Sequence, residues 1–122
     1  MMMPDVNVMV AVSDTSHPFY GKAKAWLQAN SPVATCALTE LGMVRVLIQL
    51  GTPISQAENH LASLISKYRG AFINCDLSVE GLRGKISGHR QITDKYLVEL
   101  CSKHSLQLAT FDKSISGALL IS

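Results

Sequence analysis

Nowhere in this chain of 122 residues is there an apolar run of the roughly 20 residues needed to cross a bilayer, so no membrane span is expected. Charge is scarce as well. Charged residues make up 16% and hydrophobic residues 48%, a balance that excludes a disordered chain and favours a core-rich domain. Cysteine is limited to Cys36, Cys75 and Cys101, none in a C-x-x-C pair and each in or beside an apolar run. That argues against a zinc site or disulfides and for buried, reduced thiols. There is no glycine-rich phosphate loop, and no acid pair follows the first strand candidate. Both absences set the chain apart from nucleotide-binding and receiver-type α/β domains. The start, Met1-Met2-Met3-Pro4-Asp5, lacks the basic stretch and apolar core of a secretion signal, and a cytoplasmic location is the expectation.

What is present fits one domain spanning residues 1–122, long enough to bury a core without staples. Strand and helix signals alternate. Residues 1–5 form a short strand candidate, and Val6 to Val12 also reads locally as strand through its alternating valines. A turn at residues 14–18 leads, with Pro18 in its first turn, into a helix to about Gln28. A buried strand is expected at 33–36 and a helix at 38–50, ended by Gly51. Ser55 is a candidate cap, with Glu58 as its capping-box partner, for a further helix along Leu61, Leu64 and Ile65. A strand at 71–75, a helix at 78–86, a helix from Asp94 to His104 capped by Thr93, and strands at 106–111 and 118–121 complete the reading. This order predicts a three-layer α/β/α sandwich on a mainly parallel sheet. In such sheets, sites lie beyond the carboxyl ends of the strands.

Four acids stand out against that rule. Asp5 ends the first strand candidate, and Asp112 directly follows the strand Leu108-Ala109-Thr110-Phe111. Glu40 shares a helical face with Val44 and Leu47, and Asp94 shares one with Leu97, Val98 and Cys101. A carboxylate facing a core is costly unless something compensates it, and four together could do so by binding a cation. Taken singly, each has an ordinary explanation: complementing a helix N-terminus for Glu40 and Asp94, a turn for Asp112, solvation for Asp5. Net charge is +2, but with four acids committed inside, the eleven Lys and Arg face only five outer acids. Arg83, Lys85, His89, Arg90 and Lys95 crowd the sequence around Asp94, and Arg90 and Lys95 are the candidates for contacts to the phosphates of a polyanion. Arg45 reads as pairing with an acid, and His17, His60 and His104 as surface residues.

The stretches Asp5-Val6-Asn7-Val8, Thr39-Glu40, residues 88–97 with Thr93-Asp94-Lys95-Tyr96-Leu97, and Ala109-Thr110-Phe111-Asp112 resemble, in order and spacing, the four signature stretches of PIN domains. The resemblance is strongest to VapC-type toxins of bacterial toxin–antitoxin pairs. It implies an α/β/α sandwich whose acids, here Asp5, Glu40, Asp94 and Asp112, bind Mg²⁺ or Mn²⁺. Asn7 and Thr110 are then polar neighbours that orient a carboxylate or water. It further implies an RNA substrate, such as tRNA or rRNA, cleaved by a metal-activated water to leave 5′-phosphate and 3′-hydroxyl ends. A small antitoxin protein and a homodimer, with helices 38–50 and 55–67 as a possible surface, belong to the same expectation. It also replaces the strand reading of Val6–Val12 by a helix after Asn7. Pro4 departs from the pattern, because it cannot donate a ladder hydrogen bond and the leading strand is short. The alternative is a catalytically weak PIN-like module that binds RNA or protein for regulation.

Overall fold

The computed structural model describes residues 1–122. Its elements run β1 (Met2–Pro4), α1 (Val6–Val12), α2 (Tyr20–Asn30), β2 (Val33–Cys36), α3 (Ala37–Gln49), α4 (Ile54–Tyr68), β3 (Arg69–Ile73), α5 (Ile92–Lys103), β4 (Gln107–Thr110) and β5 (Leu119–Leu120). Every strand pairing is parallel: β1 with β4, β4 with β5, and β2 with β3. The two ladders lie side by side along β1 and β2. The Asp5 amide N–H donates to the Ala109 carbonyl at 2.8 Å, so alternation turns the backbone of residue 4 toward β2. Residue 4 is proline and has no donor to offer there. The pairing with β4 continues through Pro4 without a register shift, and the missing bond falls on the other side.

Strand alternation creates the layers. Leu108 packs with Leu97, Leu100 and Cys101 of α5, together with Met3, Ala34 and Cys36. Its neighbour Ala109 points the other way, against Val8 and Ala11 of α1 and Ala23 of α2. A third cluster joins α1, α3 and α4 through Met9, Val10, Met43, Leu47, Ala57 and Leu64. Helices thus cover both faces of a parallel sheet, as predicted. Gly42 lets α3 lie close on α1, since a Cβ there would fall 2.6 Å from Val6 Cγ2.

Several local expectations change. Val6–Val12 is helical despite its valines, because Val8, Met9, Val10 and Ala11 are all buried and that burial outweighs a weak propensity. Its cap is Asp5, whose Oδ1 accepts the Val6 N–H at 2.8 Å, while Asn7 lies inside the helix. Ser55 and Thr93 also sit inside their helices and make no cap hydrogen bond; Pro53 and Gln91 hold the cap positions. The helix expected at 78–86 shrinks to a 3₁₀ turn at Val79–Leu82, in a stretch broken by Gly81 and by Gly84 at φ +80°. Cys75 is exposed rather than buried, since it lies beyond the end of β3, while Cys36 and Cys101 are buried and all three thiols are free.

Candidate active site

Parallel pairing brings the end of β1 and the end of β4 to one edge, and their next residues carry the acids. Asp5 follows β1, Asp112 follows β4 after Phe111, and Asp94 enters from the first turn of α5. All three line one cavity of about 470 Å³. Its walls are Val6, Asn7 and Val10 of α1, and Leu38, Gly42 and Val46 of α3.

Thr110 is the hub beneath them. Its hydroxyl donates to Asp5 Oδ2 at 2.9 Å and accepts from Asn7 Nδ2 and from the Asp112 amide N–H, each at 3.0 Å. One donor and two lone pairs are all a hydroxyl has, so Thr110 is saturated. Asn7 completes the brace by accepting the Phe111 N–H on Oδ1 at 3.3 Å. Asn7 and Thr110 therefore hold α1 to the end of β4 and fix the distance between Asp5 and Asp112.

The three carboxylates differ in support. Asp112 Oδ1 accepts from the Ser114 amide and hydroxyl at 2.9 and 2.7 Å, and these bonds hold its pKa below the usual carboxylate range. Asp5 is 6% exposed; burial pushes its pKa up, the bonds from Thr110 and Val6 pull it back, and the Asp112 charge raises it further. Asp94 is half-buried and makes no side-chain hydrogen bond; desolvation and then the charges of Asp5 and Asp112 raise its pKa. None of the three forms an ion pair, although six pairs occur elsewhere. An all-oxygen cluster carrying uncompensated charge suits a hard divalent cation. No three acid, His or Cys groups are close enough to enclose an ion by themselves.

Glu40 does not join them, which corrects the four-acid expectation. It lies two residues beyond the pocket-facing Leu38, about 200° around a helix of 3.6 residues per turn. The carboxylate faces the opposite side of α3, where Oε2 accepts from Arg69 Nη1 at 3.0 Å and from Thr35 Oγ1 at 2.5 Å. The basic candidates shift too. Lys95 pairs with Glu99 at 3.2 Å, and Arg90 is exposed and forms no ion pair. Neither lines the acid pocket; Lys95 borders a smaller neighbouring pocket that Asp94 shares. The basic side chain that lines the acid pocket is Arg45, which pairs with no acid, and the half-buried His17 imidazole lines it as well. Arg45 was legible at i+7 from Leu38 and i+3 from Gly42 on one helical face. His17 sits in a turn whose placement no local pattern encodes.

Comparison with known proteins now bears on this pocket. The PIN domain model matches residues 2–118. This chain belongs to the PIN-domain family, on its VapC branch. Ribonuclease VapC29 of Mycobacterium tuberculosis is 33% identical over 114 residues, covering 92% of this chain and 86% of that protein. Ribonuclease VapC44 of the same organism is 32% identical over 122 residues, with the same two coverages. The crystal structure of Mycobacterium tuberculosis VapC20, described as a sarcin-ricin loop cleaving toxin, superposes with a TM-score of 0.74 over 95% of this chain and 93% of that one. Sequence identity there is 15%, so that likeness speaks for the fold.

Proposed function

We propose that this PIN-domain chain is an endoribonuclease that cleaves RNA phosphodiester bonds at the Asp5–Asp94–Asp112 pocket with Mg²⁺ or Mn²⁺, and that it is the toxin of a toxin–antitoxin pair. The observation that carries the reading is the convergence of three carboxylates from separate elements on one pocket with no cation paired to them. Its relatives' names as VapC ribonucleases support the same activity.

A divalent cation bound there would supply charge neutralisation at the scissile phosphate and a water activated near neutral pH. The chain's own groups divide the remaining work. Asp5 and Asp112 are held in place by Val6, Thr110 and Ser114 and would serve as fixed ligands of that cation. Asp94 shares the pocket but makes no side-chain hydrogen bond, so its carboxylate would be free to turn onto the cation as the third ligand. Arg45 lies beside the acids without a partner and contributes a permanent positive charge for a flanking phosphate.

Two further parts of the reading rest on the surface. Leu41, Ile48 and Phe72 are 56%, 38% and 48% exposed around a shallow cavity between α3, α4 and β3. We assign that face to a homodimer, and the mouth of the acid pocket to a small antitoxin protein. The free thiols Cys36, Cys75 and Cys101 fit work in a reducing cytoplasm, on a structured RNA such as tRNA or rRNA.

The test is incubation of purified protein with labelled total RNA in Mn²⁺, in Mg²⁺ and in chelator, beside Asp94→Asn. Metal-dependent cleavage that the variant loses supports the nuclease. Cleavage that persists in chelator, or 2′,3′-cyclic phosphate ends, contradicts the metal-assisted mechanism. Folded protein that binds RNA without cutting it leaves the regulatory-module reading in its place.

A further inference from the structure

A strip of rings beside the acid pocket is more exposed than a core role requires. Phe19, just ahead of α2, is 41% exposed. Its ring is tilted 39° against Phe111 with centroids 5.0 Å apart, and the His17 imidazole stands 6.0 Å away. Lys22 Nζ lies 5.5 Å from the centre of the Phe19 ring. Both aromatic neighbours tie Phe19 to the site: His17 lines the acid pocket, and Phe111 directly precedes Asp112. The His17 ring is also fixed. Its Nδ1 accepts the Phe19 amide N–H at 3.0 Å, which places the proton of the neutral ring on Nε2 and leaves Nε2–H as its free donor.

We infer that Phe19 is a base-stacking platform for single-stranded RNA, with Lys22 and His17 reaching the phosphates on either side of the stacked base. The inference rests on the ribonuclease reading and adds a nucleotide subsite to it. An exposed ring takes any base because every base has a π-face, and a nearby cation strengthens the contact. Lys22 is a flexible cover over the ring, displaced by a base and then free to meet the adjoining phosphate. A base inside a duplex offers no free face, so the ledge selects single strands, loops and bulges. Phe111 sets the platform's position relative to Asp112, so the base on Phe19 fixes which neighbouring phosphate reaches the acids.

The test is fluorescence anisotropy with a short fluorescein-labelled single-stranded RNA of random sequence and with its duplex, in an Asp94→Asn background that leaves the probe intact. Phe19→Leu should weaken single-strand binding by roughly 5- to 150-fold, the range for one base–aromatic stack, with little change for the duplex. Phe19→Trp should keep or improve it. Lys22→Gln should reduce the salt slope by about 1. Equal single-strand binding by the Leu and Trp variants, or an equal loss for single strand and duplex, overturns the ledge. The native protein's cleavage of total RNA, run alongside, separates the two proposals. Cleavage without binding of the random single strand overturns the ledge and leaves the nuclease standing, whereas neither cleavage nor binding overturns both.

Discussion

Helix α3 carries carboxylate chemistry on two sides, and the sides treat it oppositely. On one, the acid pocket between α1, α3 and α5 gathers Asp5, Asp94 and Asp112 with no paired cation, and two of them are pushed toward protonation by burial and mutual repulsion. On the other, Glu40 is a satisfied acid, closed by Arg69 and Thr35. Paired charge holds structure together. Uncompensated charge kept beside a cavity costs stability and is ready to be used. The proposed function uses the first side, and the ion pair on the second contributes stability.

The sharpest way to break this contrast is to remove one acid from each side. Asp94→Asn should lower metal-dependent RNA cleavage roughly 10²–10³-fold, the scale for losing one electrostatic partner of a transition state, with little loss in melting temperature. Thr110→Val comes next. It strips the hub hydroxyl from Asp5, Asn7 and Asp112 and should cost about 1–3 kcal/mol in denaturant unfolding as well as activity, because the buried Asp5 carboxylate and the half-buried Asn7 amide lose a partner together with the Asp112 amide. Glu40→Gln should cost about 1–2 kcal/mol of stability while the folded fraction keeps near-native turnover, since the pair is only partly shielded from water. Loss of turnover in Glu40→Gln without loss of stability would return Glu40 to the site.

The smallest effect is one of pH. Asp5 and Asp94 have folded pKa values raised above the ordinary 3.8, so the metal-free folded state binds protons more readily than the unfolded chain there. These two groups destabilise the metal-free protein at neutral pH. That penalty is relieved as pH falls through their raised values toward 3.8. Asp14, Asp76, Asp112 and Glu99 have lowered values and act oppositely, with stability lost as pH falls below 4.5 for Glu99 and below 3.8 for the aspartates. Melting temperature in chelator should therefore rise on mild acidification from neutral and fall again in stronger acid. Mn²⁺ should flatten the first part of that profile. A profile in chelator that falls steadily from pH 7 counts against the raised pair.

Much of this was legible in the sequence. Alternating strand and helix signals predict the parallel three-layer fold, and acids placed just after strands or opening a helix mark the pocket edge. Glu40 shows where the pattern stops being informative. Its apolar spacing correctly places it on a half-buried helical face, but two such faces exist, and the choice between them depends on where Arg69 lies 29 residues away. The helix at Val6–Val12 hides behind β-branched residues because burial on three elements, not propensity, decides it. His17 and Phe19 are invisible for a related reason: their neighbours Phe111 and Asp112 arrive from the far end of the chain.

Titration of Mn²⁺ into native protein, Asp94→Asn and Glu40→Gln, followed by calorimetry at neutral pH, tests the central division most directly. The structure predicts that native protein and Glu40→Gln bind with the same affinity and that Asp94→Asn binds markedly more weakly. Weakened binding in Glu40→Gln with binding retained in Asp94→Asn would contradict it.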